Sequence, residues 1–157
     1  LITYRAATAI DQGMKHDDIV KSVENWIKDT RIFVSVKDLS YMVRGGRVSP
    51  LKGKIARMLN VKPIVSMDSE GRSILLDKAF SQKRNIRLVM KHIEKIKQKH
   101  TIRNYILLHA HNPETASWFS DQLTVLTGTE PLGTMDISPV IGLNAGEGAV
   151  AVALTFD

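Results

Sequence analysis

Residues 61–80, VKPIVSMDSEGRSILLDKAF, are the stretch that decides the fold class of this chain. Its two ends, residues 61–67 and 72–80, are short and rich in β-branched and apolar residues, which is typical of strands. Between them lies Asp68-Ser69-Glu70-Gly71, in which Gly71 can take the positive φ of a tight turn. The stretch therefore predicts a strand–turn–strand hairpin, so part of the sheet is antiparallel.

On the N-terminal side of the hairpin, hydrophobic periodicity predicts helices and one strand. Ser49-Pro50 provides an N-cap followed by proline at the first helical position. The predicted elements are a helix within 1–14 that ends at Gly13, a helix at 17–29, a strand at 31–36, a turn-rich segment at 38–50 and a helix from Ser49-Pro50 toward Leu59.

On the C-terminal side, helices and strands alternate. Asn112-Pro113 starts a helix and Gly128 stops it. The elements expected are a helix at 81–99, a buried strand at 104–110, a helix at 112–128, a strand at 134–138, a strand end at 139–141, a glycine-rich turn at 142–148 and an alternating strand at 149–156. The whole pattern predicts a single α/β domain with a mixed, mainly antiparallel sheet and helices packed on it.

Composition narrows the function classes. The 157 residues contain no cysteine, which excludes disulfides, thiol catalysis and cysteine-bound zinc. The net charge of +6 favours anionic partners without selecting among nucleic acid, membranes, phosphates and acidic proteins. No apolar run approaches the roughly 20 residues that span a bilayer. The chain opens at Leu1 without a signal-peptide pattern, from which we expect a fragment boundary, a missing upstream lobe and a cytoplasmic protein.

The segment Arg44-Gly45-Gly46-Arg47 is the first candidate site. Paired glycines let the backbone approach a ligand, and two guanidinium groups can grip a carboxylate or phosphate. A plain surface turn with two solvated arginines explains the same residues about as well.

The second candidate is Gly142-Leu-Asn144-Ala-Gly146-Glu-Gly148. Its glycines can form a nest of backbone N–H groups that binds an anion, and Asn144 can both donate and accept a hydrogen bond. An ordinary glycine-rich connection between strands is the alternative. No dinucleotide-binding or P-loop spacing is present.

Two further functions are weaker alternatives. The helix at 81–99 is basic, and with the RGGR segment it could form a nucleic-acid-binding surface, although a solvated helix face is favoured because interleaved aromatic residues are absent. His109 and His111 could share a metal, and with Asp136 or Glu147 they could serve a hydrolase or transferase. We expect neither a metal site nor catalysis from them.

In chain order, several segments resemble the DegV family of bacterial fatty-acid-binding proteins. The segment 36–48 resembles its "strand, short helix, RGGR" signature, and residues 59–65 resemble its "L-x-I-K-P-I" strand. The hairpin, the basic helix, LLHAHNPETA and the Pro-Val-Ile-Gly segment at 139–142 follow in family order. The resemblance covers about residues 20–157.

This resemblance implies the C-terminal lobe of a two-lobed carrier that holds a long-chain fatty acid in a tunnel between the lobes. It implies a partner, a fatty acid kinase of the dihydroxyacetone-kinase type, and no catalysis, cofactor or nucleic acid for the carrier itself. Residues 1–30 would then be a helical segment continuing from the missing N-terminal lobe, and 31–157 the lipid-binding domain.

The resemblance also assigns ligand-binding residues, namely Arg44, Gly45, Gly46, Arg47, Gly142, Asn144, Gly146 and Gly148. Where the family usually reads G-x-H-x-G-P-G, this chain has Asn144 in place of histidine and Glu147 in place of proline. Asn144 can donate a hydrogen bond but cannot become cationic, and Glu147 would repel an anionic headgroup if it pointed inward.

Overall fold

A computed structural model describes residues 1–46 and 61–157. The helix expected from Ser49-Pro50 to Leu59, and the site residue Arg47, lie outside the described residues. Six helices lie within them: α1 (Ile2–Asp11), α2 (His16–Lys28), α3 (Ser40–Arg44), α4 (Gln82–Lys97), α5 (Pro113–Thr127) and α6 (Pro139–Ala145). Within the described part of the chain, no helix is both long and apolar enough to cross a bilayer.

Six strands form one sheet in the order β3-β2-β1-β6-β4-β5. They are β1 (Thr30–Ser35), β2 (Lys62–Met67), β3 (Ser73–Ala79), β4 (Ile102–His109), β5 (Thr134–Asp136) and β6 (Val150–Phe156). The neighbours pair antiparallel except β4 and β5, which pair parallel. The predicted mixed, mainly antiparallel sheet is confirmed, and so is the hairpin, in which Gly71 has φ +75°.

One face of the sheet carries the main core. Alternate residues of β6 all point to this face, as the sequence predicted, and they pack with β4 against α4 and α5. The largest side chains buried there are Tyr105, Phe119, Ile64, Ile93, Leu107, Leu123 and Leu154. Asn85 on α4 is fully buried and donates from Nδ2 to the carbonyls of Lys62 and Pro63, at 2.8 and 2.9 Å, which fixes α4 to β2.

The opposite face, which we call the open face, is less completely covered. Its side chains alternate with those of the core and remain partly exposed: Ile32, Val34, Leu75, Ile106, Leu108 and Ala153. At the end where β1 stops, Val36, Leu39, Met42 and Val65 form a second small cluster on this face. At the other end lie α1 and α2. The open face is therefore an apolar surface bounded by helices at both ends.

One prediction of local structure is wrong. Residues 139–141 are not a strand end, because α6 begins at Pro139 and includes Gly142. His92 on the basic helix α4 is partly buried: its Nε2 is 3.0 Å from Asp77 Oδ2, and its ring stacks on Phe33. His100 lies beyond α4 and contacts the carbonyl of Asp157.

Candidate functional site

Helices α3 and α6 bring the two glycine-containing segments together at one end of the open face. A Cβ placed on Gly45 would overlap Asn144 Oδ1 and stand 3.1 Å from Asn144 Cγ. A larger residue at position 45 would therefore displace the Asn144 side chain, so glycine allows the two segments to meet with Asn144 in this position. The segments are about 100 residues apart in sequence, yet Gly45 and Asn144 are neighbours.

Tyr41, which was not among the predicted site residues, joins the two segments. The guanidinium carbon of Arg44 lies 4.7 Å from the centre of its ring. A Cβ on Gly146 would lie only 2.6 Å from Tyr41 Cγ. Gly146 also has φ +81° and ψ 161°, a backbone region that is essentially reserved for glycine. The available signal was the spacing of Tyr41 and Arg44, since residues three apart share a helix face.

The glycine amides of both segments already donate to backbone carbonyls, including those of the nest predicted at 142–148. The amide of Gly45 donates to the carbonyl of Tyr41 at 2.9 Å, and that of Gly46 to Val43 at 3.2 Å. Gly146 donates to Gly142 at 2.8 Å and Gly148 to Ala110 at 2.7 Å. These amides close helix ends and fix the strand connection. An anion at this site must therefore be bound mainly by side chains.

Of the predicted site residues that the structure describes, Arg44 and Asn144 have side chains that can bind an anion. Arg44 is exposed and its stacking on Tyr41 limits where its guanidinium can reach. Asn144 Nδ2 donates to the carbonyl of Val140 at 3.1 Å, so binding an anion through this amide requires exchange of that bond. Gly142 has open room around it, since a Cβ there would meet only ordinary contacts with Ile137.

Glu147 lies in a polar cleft beside the two segments. The cleft, of about 390 Å³, is also lined by Lys37, Asp38, Tyr41 and Lys62. Hydrogen bonds from the amide and hydroxyl of Ser40, with the nearby cations, hold the pKa of Asp38 below its usual value despite some burial. Two lysines and two carboxylates thus share the cleft, and the charge of Glu147 is offset locally.

The fold places His109 and His111 in different environments. His109 is buried in β4, and its Nδ1 lies 3.0 Å from Oδ1 of the exposed Asp136. His111 is exposed on a left-handed turn with φ 52°. Across residues 1–46 and 61–157, no group of three or more potential metal-binding side chains is present. The weaker alternative of a metal shared by the two histidines therefore gains no third ligand from the described residues.

The basic helix presents five exposed cations, Lys83, Arg84, Arg87, Lys91 and Lys95. In the part of the chain that the structure describes, none of them forms an ion pair with a carboxylate. They lie on the outer surface of α4, on the opposite side of the sheet from the open face. The helix is therefore separate from the site formed by α3 and α6.

The fold is an α/β domain in which an apolar sheet face ends at a polar cleft. The family model described as "Uncharacterised protein, DegV family" matches residues 1–157. The chain belongs to the DegV family.

The similar proteins are longer than this chain. A DegV domain-containing protein of Clostridium acetobutylicum is 30% identical over 145 residues, which are 92% of this chain and 52% of that protein. The crystal structure of DegV from Bacillus subtilis, described as a fatty acid binding protein, is 28% identical with a TM-score of 0.82, covering 97% of this chain and 54% of that one. The fatty acid kinase B3 protein of Streptococcus pneumoniae, loaded with linoleic acid, is 18% identical with a TM-score of 0.85, covering 99% and 55%. The chain thus spans about half the length of these relatives.

Proposed function

We propose that this chain is the C-terminal lipid-binding part of a non-catalytic fatty-acid carrier. The observation that carries the proposal is the open face, an apolar sheet surface that ends at the polar site of Arg44 and Asn144. Such a surface suits an elongated amphiphile with one anionic end, because burial of each methylene contributes about 0.8 kcal/mol while a few polar groups fix the headgroup. The fatty acid binding described for the Bacillus subtilis protein supports this reading.

In this proposal, the carboxylate lies between α3 and α6. Arg44 supplies the positive charge, with Arg47 as a second candidate, and Asn144 supplies a hydrogen bond. Gly45, Gly46, Gly142, Gly146 and Gly148 shape the backbone around the headgroup rather than donating to it. The match covers about half of each longer relative, and the other half is long enough for a second lobe. Such an N-terminal lobe would cover the open face. Residues 1–30 would link that lobe to the domain formed by 31–157.

We further propose that the loaded carrier presents its ligand to a fatty acid kinase of the dihydroxyacetone-kinase type. The name of the Streptococcus pneumoniae protein, a fatty acid kinase B3 protein, supports this partner. The carrier itself would need no cofactor and would act in the cytoplasm.

The test is native mass spectrometry of the parent protein after gentle purification from bacteria. We expect a co-purifying fatty acid and a rise in the unfolding temperature when fatty acid is added, because a ligand that binds only the folded state stabilises it. Arg44→Ala should reduce ligand retention, whereas Arg87→Ala on the outer surface of α4 is the matched control. Recovery without any acyl ligand, together with no stabilisation by added fatty acid, would rule out the proposal.

A further inference from the structure

A cavity of about 430 Å³ lies at the end of the open face away from the polar site. Four apolar side chains line it, Ile2 from α1, Ile27 from α2, Ile32 from β1 and Met67 from β2. The turn of the hairpin, from Asp68 to Gly71, forms its rim. Met67 is 52% exposed, which is high for a large apolar residue facing other apolar residues. The cavity thus has an apolar wall and lacks a close-packed occupant.

Two polar side chains around this cavity, those of Arg31 and Asp68, are engaged elsewhere. The guanidinium of Arg31 donates to the carbonyls of Lys28 and Thr30, at 2.7 and 2.8 Å, and stacks on Phe156. The carboxylate of Asp68 accepts hydrogen bonds from the backbone and guanidinium of Arg72, each at 2.9 Å. Lys28 also lines the cavity, but its side chain is exposed and its ammonium can stay in solvent while the methylene stem lies against the apolar wall. The four apolar side chains of this wall therefore fit an uncharged hydrocarbon end.

Strand registers place the cavity opposite the headgroup site. Ser35 at the end of β1 pairs with Val150 at the start of β6, so α3 and α6 lie at that end. Val34 pairs with Val65. Ile32 and Met67 each lie two positions from this pair on their own strands, on the side away from α3 and α6. The six residues of β1 span about 20 Å at about 3.3 Å each. An extended chain of about 16 carbons has a similar length, since each methylene advances it by about 1.25 Å when C–C bonds are about 1.5 Å.

We propose that this cavity receives the methyl end of the bound acyl chain and that Met67 sets the longest chain accepted. This inference rests on the proposed fatty-acid binding and adds its length specificity. Met67 suits the role because its unbranched, flexible side chain adapts its shape to what lies against it. A larger residue at this position shortens the space for the chain, and a smaller one lengthens it.

The experiment offers the parent protein an equimolar mixture of saturated fatty acids from lauric to arachidic acid. The bound species are then quantified by native mass spectrometry. Met67→Trp should shift the preferred chain to one shorter by about two to four carbons, because a few ångströms of added side chain displace that many methylenes. Each methylene excluded from the cavity should lower occupancy about fourfold. Met67→Ala should shift the preference toward longer chains. Val125→Trp, on an 86% exposed position of α5, is the control.

The possible outcomes distinguish a failure of the proposed length determinant from a failure of the proposed fatty-acid binding. A shift toward shorter chains in Met67→Trp, or toward longer chains in Met67→Ala, supports it. Normal total occupancy with an unchanged length distribution in both variants overturns the length determinant and leaves fatty-acid binding intact. A similar shift in Val125→Trp also overturns it. If the unaltered protein takes up no fatty acid, the proposed function fails, and the inference fails with it.

Discussion

Replacing Gly146 by alanine tests the close contact between α6 and α3. Gly146 combines φ +81° and ψ 161° with a position beside the ring of Tyr41. A residue with a Cβ in this backbone region costs about 1–3 kcal/mol, and overpacking against the ring adds about 1–3 kcal/mol more. We therefore expect Gly146→Ala to lower the free energy of unfolding by about 2–6 kcal/mol.

Two comparisons isolate the contribution of the ring. Gly13 has a similar φ of +77°, but a Cβ there would meet nothing within 4 Å. Gly13→Ala should therefore cost only the backbone term, about 1–2 kcal/mol. Tyr41→Ala in the Gly146→Ala background should recover the steric part, so the double mutant is more stable than additivity predicts.

The assay is urea unfolding, followed by circular dichroism, of five proteins: the unaltered chain, Gly13→Ala, Gly146→Ala, Tyr41→Ala and the Gly146→Ala/Tyr41→Ala double mutant. The free energies extrapolated to water are compared in a double-mutant cycle. If Gly146→Ala costs no more than Gly13→Ala, or if the cycle shows no coupling with Tyr41, the reasoning about this contact is refuted.

Three further predictions concern the core and the acid response. Asn85→Ala should lower the free energy of unfolding by about 2–3 kcal/mol, because two buried backbone carbonyls lose their donor; urea unfolding with Lys91→Ala as the surface control checks this. Tyr105→Phe should cost about 1–2 kcal/mol, since the buried hydroxyl donates to a backbone carbonyl at 2.9 Å. Burial also raises the pKa of Tyr105, so spectrophotometric titration should show it ionising above free tyrosine, and ionisation at the ordinary pH would contradict its burial. Burial alone would raise the pKa of Asp77, but hydrogen bonds and the charge of His92 outweigh it and lower that pKa. The lowered pKa contributes stability above the unfolded value of about 3.9, which is lost as the pH falls below it. Asp77→Asn should therefore weaken the acid dependence of unfolding, and an unchanged dependence would show that this carboxylate contributes nothing.

Local signals predicted most of the secondary structure because several helices and turns contain a residue that caps, ends or closes them. Asn112 accepts from the amide of Thr115 at the start of α5, and Gly128 ends that helix with φ +76°. Gly71 closes the hairpin. In these cases the residue that the pattern identified is the residue that makes the hydrogen bond or takes the positive φ.

Helix α6 was missed although a usable signal was present. Ser138-Pro139 repeats the combination that predicted a helix at Ser49-Pro50, but Val140, Ile141 and Gly142 all have low helix propensity. These residues favour a strand or turn when read locally. Packing of α6 against α3 supplies the stabilisation that the local sequence lacks.

The arrangement of the site could be predicted only in part. The resemblance to the family named both glycine segments, and the fold brings Gly45 and Asn144 into contact. The spacing of Tyr41 and Arg44 signalled that these two share a helix face, but the contact of Tyr41 with Gly146 could not be found from sequence, because it depends on an approach between residues about 100 positions apart. The open face could not be predicted either, because the alternation of side chains between the two faces of β1 and β4 is the same whether a helix or a ligand covers the second face.

The strand order has a consequence for how the domain is synthesised. Strand β6 lies between β1 and β4, yet it is made after both of them. While the ribosome is still translating, β1 and β4 expose edges with no partner between them. Among the described strands, β2 and β3 alone are joined by a tight turn, so their hairpin can form from neighbouring residues. Closure of the sheet therefore waits for long-range pairing, which folds slowly and leaves strand edges open to aggregation. Expression at reduced temperature, or a chaperone that covers exposed edges during translation, should raise the yield of folded protein.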